Sequence, residues 1–288
     1  MRIGVFDSGI GGITVLSELQ LRLKNTDFIY LGDTAHVPYG TKSPEQIEKL
    51  SLKCAQILKK KKIDALVVAC NTASSLALGA IQRALDPIPV LGMVEPGVRS
   101  VTESLLNSLG SDPSEAASAL NPRHSPSAAQ KPQAPPSVLV LATRATVRSG
   151  AYGRALAQAL PQARIFEQAC PLLVPFIEEG WIDHPLLHET LRVYLEPYLS
   201  HTPGIALLGC THYPWIEPAF QKALPGWRII HSARAVAQTL EKTQWLQKPT
   251  SRPSQKPTSI EWIFTDPAAV SEFAQGFIQT LNSAVSAH

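Results

Sequence analysis

The feature that most constrains this chain occurs twice: a run of apolar residues stops on a cysteine, with threonine and a helix-start signal close behind. The first copy reads Ala65-Leu-Val-Val-Ala-Cys-Asn-Thr-Ala-Ser-Ser75 and the second Ile205-Ala-Leu-Leu-Gly-Cys-Thr-His-Tyr-Pro214. A continuous apolar run is the pattern of a strand buried on both faces, as in a parallel sheet covered by helices. Behind Cys70, Asn71 and Thr72 announce a helix whose apolar periodicity runs from Leu76 to Leu85, and behind Cys210, Pro214 suits a first helical turn. Each thiol is thus expected at the carboxyl end of a strand and beside a helix N-terminus, where open parallel sheets bind ligands. A helix dipole favours thiolate by roughly 0.3–1 kcal/mol. At about 1.36 kcal/mol per pKa unit this is a modest lowering, and it predicts that Cys70 exchanges a proton near neutral pH. One such cysteine reads equally well as a small buried hydrophobe. Two at matching junctions point to a pair of thiols facing each other across one cleft.

The rest of the chain repeats the strand–loop–helix pattern. Strands are expected at Arg2–Phe6, Phe28–Leu31, Val90–Met93, Val138–Ala142, Ile165–Gln168, Arg228–Ile230 and Ile260–Phe264. Helices are expected over Ile13–Leu23, Pro44–Lys62, Pro96–Leu109, Ala151–Leu160, Leu172–Gly180, Leu186–Leu199, from about Ala233, and at the C-terminal end. Residues 143–150 read as a loop. This alternation predicts an α/β fold with open, mostly parallel sheets flanked by helices, in two similar lobes. Ser111–Pro136 breaks the pattern. Pro, Ser and Ala dominate it and it has no apolar periodicity, so it reads as a flexible insertion, and Lys248–Pro257 is a second polar, Pro-rich loop.

The polar residues behind the strands carry the candidate chemistry. Asp7-Ser-Gly-Ile-Gly-Gly12 lacks both the GxGxxG spacing and a Lys-Ser/Thr ending, and a leading carboxylate would repel phosphate. Its glycines bring the backbone close to a small ligand, leaving Asp7 and Ser8 at the strand end; the purely structural alternative is a tight strand–helix turn. Asp7 suits an ammonium group or acts on a nearby thiol. Tyr39, Gly40, Asn71 and Thr72 offer N–H and hydroxyl donors that suit a carboxylate, and Thr211 and His212 repeat those roles beside the second thiol. His212 is either a helix-cap or core histidine or a group that hydrogen-bonds or protonates near Cys210 and so activates it. Glu178 and Glu179 read as solvated helix residues.

Composition narrows the class. With 44% hydrophobic and 17% charged residues the chain is an ordinary globular one. A net charge of +3 is too small to argue for nucleic acid, and the basic run Lys59–Lys62 closes a helix without an aromatic platform beside it. No apolar stretch approaches the roughly 20 residues of a membrane span, and the N-terminal residues already read as a strand rather than a secretory signal. A cytoplasmic location, where thiols stay reduced, is therefore expected. The four cysteines show no CxxC spacing, so neither a metal site nor disulfides are expected, and Cys54 and Cys170 read as buried structural residues.

Six segments together are similar to the bacterial glutamate racemases: Gly4–Gly12, Tyr30–Lys42, Val68–Ala73, Thr143–Ser149, Ala169–Glu179 and Leu208–Pro214. The resemblance covers nearly all of the chain outside 111–136 and 248–257. It implies two pseudo-symmetric lobes with the active site in the cleft between them, no cofactor, and D- or L-glutamate as the partner, with a homodimer left open. It implies that Cys70 and Cys210 are the catalytic thiols, and that Asp7, Ser8, Tyr39, Gly40, Asn71, Thr72, Thr211 and His212 contact substrate. Asp7 and His212 would tune the two thiols and Glu178 would orient His212. The expected division places residues 1–97 with 207–288 in the lobe carrying Cys70, and 98–206 in the other, with Cys210 at the junction. The chemistry agrees, because inverting an α-carbon needs a base on one face and an acid on the other. The implied role is supply of D-glutamate for peptidoglycan. The rivals are an aspartate racemase or related cysteine-pair isomerase, a thiol hydrolase using Cys70 as nucleophile, and a non-enzymatic amino-acid binding protein.

Overall fold

The computed structural model describes residues 1–108, 135–243 and 259–286, and the expected insertion, save its last two residues, and the 248–257 loop lie outside that range. Two all-parallel sheets organise the molecule. The first holds β1 (Arg2–Asp7), β2 (Asp27–Gly32), β3 (Ala65–Val68), β4 (Val90–Leu91) and β9 (Ile260–Phe264) in the order β4-β3-β1-β2-β9. The second holds β5 (Ser137–Ala142), β6 (Arg164–Ala169), β7 (Ile205–Gly209) and β8 (Arg228–His231) in the order β6-β5-β7-β8. Read from β5 outward, the second order repeats the first, so that β3-β1-β2 corresponds to β7-β5-β6, and β9 is an extra edge strand.

The apolar runs are continuous because alternate residues enter different cores. In β1, Ile3 and Val5 pack under α1 (Ile13–Arg22) and α11 (Ser232–Glu241), while Phe6 faces α2 (Pro44–Lys60) and α4 (Leu78–Leu85). In β5, Leu139 and Leu141 face α9 (Pro185–Leu195) and α10 (Glu217–Ala223). Val138 and Val140 face α5 (Val94–Ser108) and α7 (Ala151–Ala159). The hydrophobic effect, at roughly 25 cal/mol per Å² of apolar surface removed from water, thus acts on both faces of each sheet.

Helix α5 leaves the first sheet and packs its Val98, Val101 and Leu105 on the second. Helix α11 makes the return journey, followed by β9 and α12 (Glu272–Ser286). The expected lobe boundary at 207 therefore needs correction. β7 pairs with β5 and β8 with β7 in the second sheet, and the chain returns only after His231. An apolar run shows that a strand is buried but not which strand lies beside it.

Two helix expectations also change. The helix behind Cys70 begins at Asn71, as α3 (Asn71–Leu76), and breaks at Ala77 before α4. Residues 143–150 are not a loop but mostly α6 (Arg144–Ser149), capped by the Thr143 hydroxyl and closed by left-handed Gly150 at φ 60°. Helices this short carry too few residues for periodicity to register. Behind Cys210 comes only a 3-10 turn, Tyr213–Ile216, before Pro218 restarts the chain as α10.

Candidate active site

In an open parallel sheet the binding crevice lies where the strand order reverses, beyond the carboxyl ends. The first sheet reverses between β1 and β3, which end on Asp7 and just before Cys70. The second reverses between β5 and β7, which end just before Thr143 and Cys210. The two crevices open on one cavity, lined by Ser8, Val37–Gly40 and Cys70–Thr72 from the first sheet and by Thr143, Val174 and Cys210–His212 from the second half.

Cys70 is the N-cap of α3, and its sulfur accepts the Ala73 N–H at 3.5 Å while its thiol donates to Ser8 Oγ at 3.4 Å. The helix end was expected to ease its ionisation. Burial does the opposite: desolvation first, then the neighbouring Asp7 charge, push the Cys70 thiol up to about 12. A dipole contribution near 1 kcal/mol does not offset full removal from water. Asp7 is itself wholly buried. Its Oδ2 accepts from Gly9 N at 3.1 Å and its Oδ1 from the Thr211 hydroxyl at 3.3 Å, yet desolvation still raises its carboxyl above the ordinary range.

On the other side, Cys210 Sγ faces His212 Nδ1 at 3.9 Å, and His212 Nε2 donates to Glu178 Oε1 at 3.0 Å. Glu178 is the last residue of α8 (Leu173–Glu178), which carries it to the cavity's rear. Burial on its own would lower the His212 pKa, and it is the largest single influence. Hydrogen bonds to Cys210 and Glu178 outweigh it and leave the imidazole raised to about 10. Gly11 passes so close that a Cβ there would run into the His212 ring and the Thr211 hydroxyl, so only glycine permits this approach.

Three hydroxyls join the halves: Thr72 Oγ1 lies 2.9 Å from Thr143 Oγ1 and 3.1 Å from Thr146 Oγ1, and the last two are 3.0 Å apart. Asn71 spans the seam as well, donating Nδ2 to Ser232 Oγ at 3.2 Å and accepting from the Tyr152 hydroxyl at 2.6 Å.

The family model described as Asp/Glu/Hydantoin racemase matches residues 14–110. The glutamate racemase of Aquifex aeolicus is 40% identical over 242 residues, 84% of this chain and 82% of that protein. That of Persephonella marina is 39% identical over 242 residues with the same coverage, 84% and 82%. The crystal structure of glutamate racemase from Francisella tularensis in complex with D-glutamate superposes with a TM-score of 0.79 at 29% identity. The match covers 96% of this chain and 93% of that one. The chain belongs to the glutamate racemase family. The alternation of strands and helices read from the sequence is the racemase α/β fold, in two sheets of parallel strands flanked by helices.

Of the residues singled out from sequence, Ser8, Tyr39, Gly40, Cys70, Asn71, Thr72, Cys210, Thr211 and His212 line this cavity. Asp7 and Glu178 stand behind it, bonded to Thr211 and His212. Two expected donors are engaged elsewhere. The Tyr39 hydroxyl donates to Asp33 Oδ2 at 2.7 Å and is not a free donor to the cavity, while Asn71 gives one amide hydrogen to Ser232 and its carbonyl oxygen accepts from Tyr152. Glu178 is not the solvated helix residue that its local sequence suggests, since only the packing of α8 against the 3-10 turn brings it to His212. Thr143 went unselected, although its signal was present. It follows an apolar strand and caps a helix, as Cys70 does, and its place at the end of β5 is the counterpart of Asp7 at the end of β1.

Proposed function

We propose that the chain interconverts L- and D-glutamate by moving a proton at the α-carbon between two thiols, Cys70 and Cys210, on opposite faces of the bound amino acid. The single observation carrying this reading is that the two cysteines end equivalent strands of the two sheets and open on one cavity. One sulfur, as thiolate, takes the α-proton; the other, as thiol, returns a proton to the opposite face. The C–H electron pair stays on carbon between the steps, and the thiols finish with exchanged protonation states. Burial favours Cys70 as the thiol in the free enzyme. His212, bonded to Glu178, is placed to hold the proton of Cys210 while that sulfur acts as base. Ser8, Thr72, Thr143 and Thr211 supply hydroxyls around the space where the α-carboxylate, and the charge developing next to it, would sit. The reading uses no cofactor. It places the enzyme in the cytoplasm as a source of D-glutamate for peptidoglycan, and no helix among the described residues is long and apolar enough to cross a membrane.

In heavy water, product formed early from L-glutamate is expected to carry deuterium at the α-carbon while recovered substrate carries little, and D-glutamate should give the mirror result. Cys70→Ala and Cys210→Ala should each stop racemisation. Transfer of the original α-proton into product, or a single-cysteine variant that racemises at the parent rate, would rule out the two-thiol route. Aspartate run in parallel tests the neighbouring substrate.

A further inference from the structure

We propose that Trp215 is a positioning residue for the Cys210 side of the site, through which the C-terminal helix holds the His212 ring in line with Cys210 and Glu178. The inference rests on the two-thiol reading and on the role given there to His212.

An imidazole is a loosely held rotor. Rotation about χ2 is broad and roughly two-fold, so its direction depends on what surrounds it. The polar contacts of His212 are unequal: Nε2 to Glu178 is short at 3.0 Å, but Nδ1 to Cys210 is long at 3.9 Å. The short contact anchors one end of the ring, and the long one leaves the other end to be aimed by packing. Gly11 closes on the ring from the first sheet. Trp215 supplies an edge-to-face contact, with ring centroids 5.8 Å apart and planes at 79°. Its backbone N–H donates to the His212 carbonyl at 3.2 Å, which ties the two residues into one turn.

Trp215 is in turn held from outside. Its ring lies 5.4 Å from Phe273 at 78° and 5.2 Å from Phe277 at 37°, and those two phenyl rings are 5.1 Å apart. All three belong to one aromatic knot between α12 and the 3-10 turn. Trp215 also packs against two apolar cores, the one under α1 and α11 and the one between the second sheet and helices α9 and α10. A single half-buried side chain therefore joins the last helix, both cores and the imidazole beside the reacting thiol. Neither Phe273 nor Phe277 lines the cavity, so these two rings act on the imidazole through Trp215, which both of them touch.

The charged or titratable groups facing His212 are Cys210, Glu178 and Asp7, and Trp215 contributes none. Removing it should alter aim rather than charge. Trp215→Leu is expected to lower kcat about 10- to 100-fold while leaving KM within about threefold, the pattern of a misplaced acid–base group. The alkaline limb of the kcat profile, and the His212 titration followed by 15N NMR, should move down toward neutrality as the bonds to Cys210 and Glu178 loosen. Trp215→Phe should recover most of the rate. Phe277→Ala should show a smaller loss of the same kind in the parent and almost no added loss in Trp215→Leu, because both act along one line of contact.

Folding is checked by circular dichroism and melting. If Trp215→Leu folds and keeps the parent kcat and pH profile, the proposal is wrong; it is equally wrong if Phe277→Ala adds its full effect in that background. If Trp215→Leu does not fold, Phe277→Ala decides, and a parental kcat and pH profile there overturns the proposal. His212→Gln separates the two readings. A silent His212→Gln removes the role of His212 itself, whereas a damaging His212→Gln beside a silent Trp215→Leu removes only the proposal about Trp215.

Discussion

Cys70 and His212 are both sealed from water, and burial opposes the charged form of each. For the thiol the hydrogen bonds with Ser8 and Ala73 offset only part of the cost, and it sits at about 12; for the imidazole, Cys210 and Glu178 compensate in excess, and it sits at about 10. Since only the thiolate is alkylated, Cys70 should resist iodoacetamide at neutral pH and react faster as pH rises, which peptide mass spectrometry after timed labelling would read. Labelling of Cys70 that is already fast and independent of pH would contradict the burial argument. The His212 shift carries a sign for stability. Its folded pKa lies above the ordinary 6.5, so its stabilising contribution is complete below about 6.5 and is lost as pH rises through about 10. His212→Gln should accordingly cost more stability in urea melts at about pH 6 than at about pH 10.5. An equal cost at both would mean that the ion pair with Glu178 adds nothing to the fold.

Among the helices, the one best marked in sequence is α2. Ser43 accepts from Gln46 N at 3.3 Å, Gln46 Oε1 accepts from Ser43 N at 3.4 Å, and Pro44 occupies the first turn. This reciprocal box satisfies two donors that the helix end leaves open. Ser43→Ala is expected to cost about 1 kcal/mol in chemical denaturation and leave kcat unchanged. A comparable fall in kcat would mean that the cap also holds the neighbouring Tyr39–Thr41 turn over the cavity. Helices α3 and α6 were harder to read because their first turns are specified by single side chains: sulfur for one, the Thr143 hydroxyl for the other. Asn71 and Thr72 signal a helix, but cysteine is not among the usual N-cap residues, so little fixed which residue opens the first turn.

At the scale of the molecule, the two halves meet at buried polar contacts. Asn71 is held by Tyr152 from α7 and Ser232 from α11, and the threonine hydroxyls close the seam beside it. Tyr152→Phe removes the 2.6 Å donor to Asn71 Oδ1 and should cost about 1–3 kcal/mol, the penalty for leaving a buried acceptor without its partner. A melt unchanged from the parent would show that another donor takes its place. The sequence by itself determined the parallel α/β class, the repeated strand–cysteine junction and nearly every strand, because strands buried on both faces must be apolar throughout and the polar residues behind them stand out. It also marked Asp7, Ser8 and both thiols, which follow directly from those runs. Only the tertiary structure decided that β7 and β8 belong to the second sheet, that the Tyr39 hydroxyl is committed to Asp33, and that Cys70 is held as a thiol. Each of these depends on contacts between residues distant in the chain, or on complete removal from water, and neither leaves a local trace in composition or periodicity.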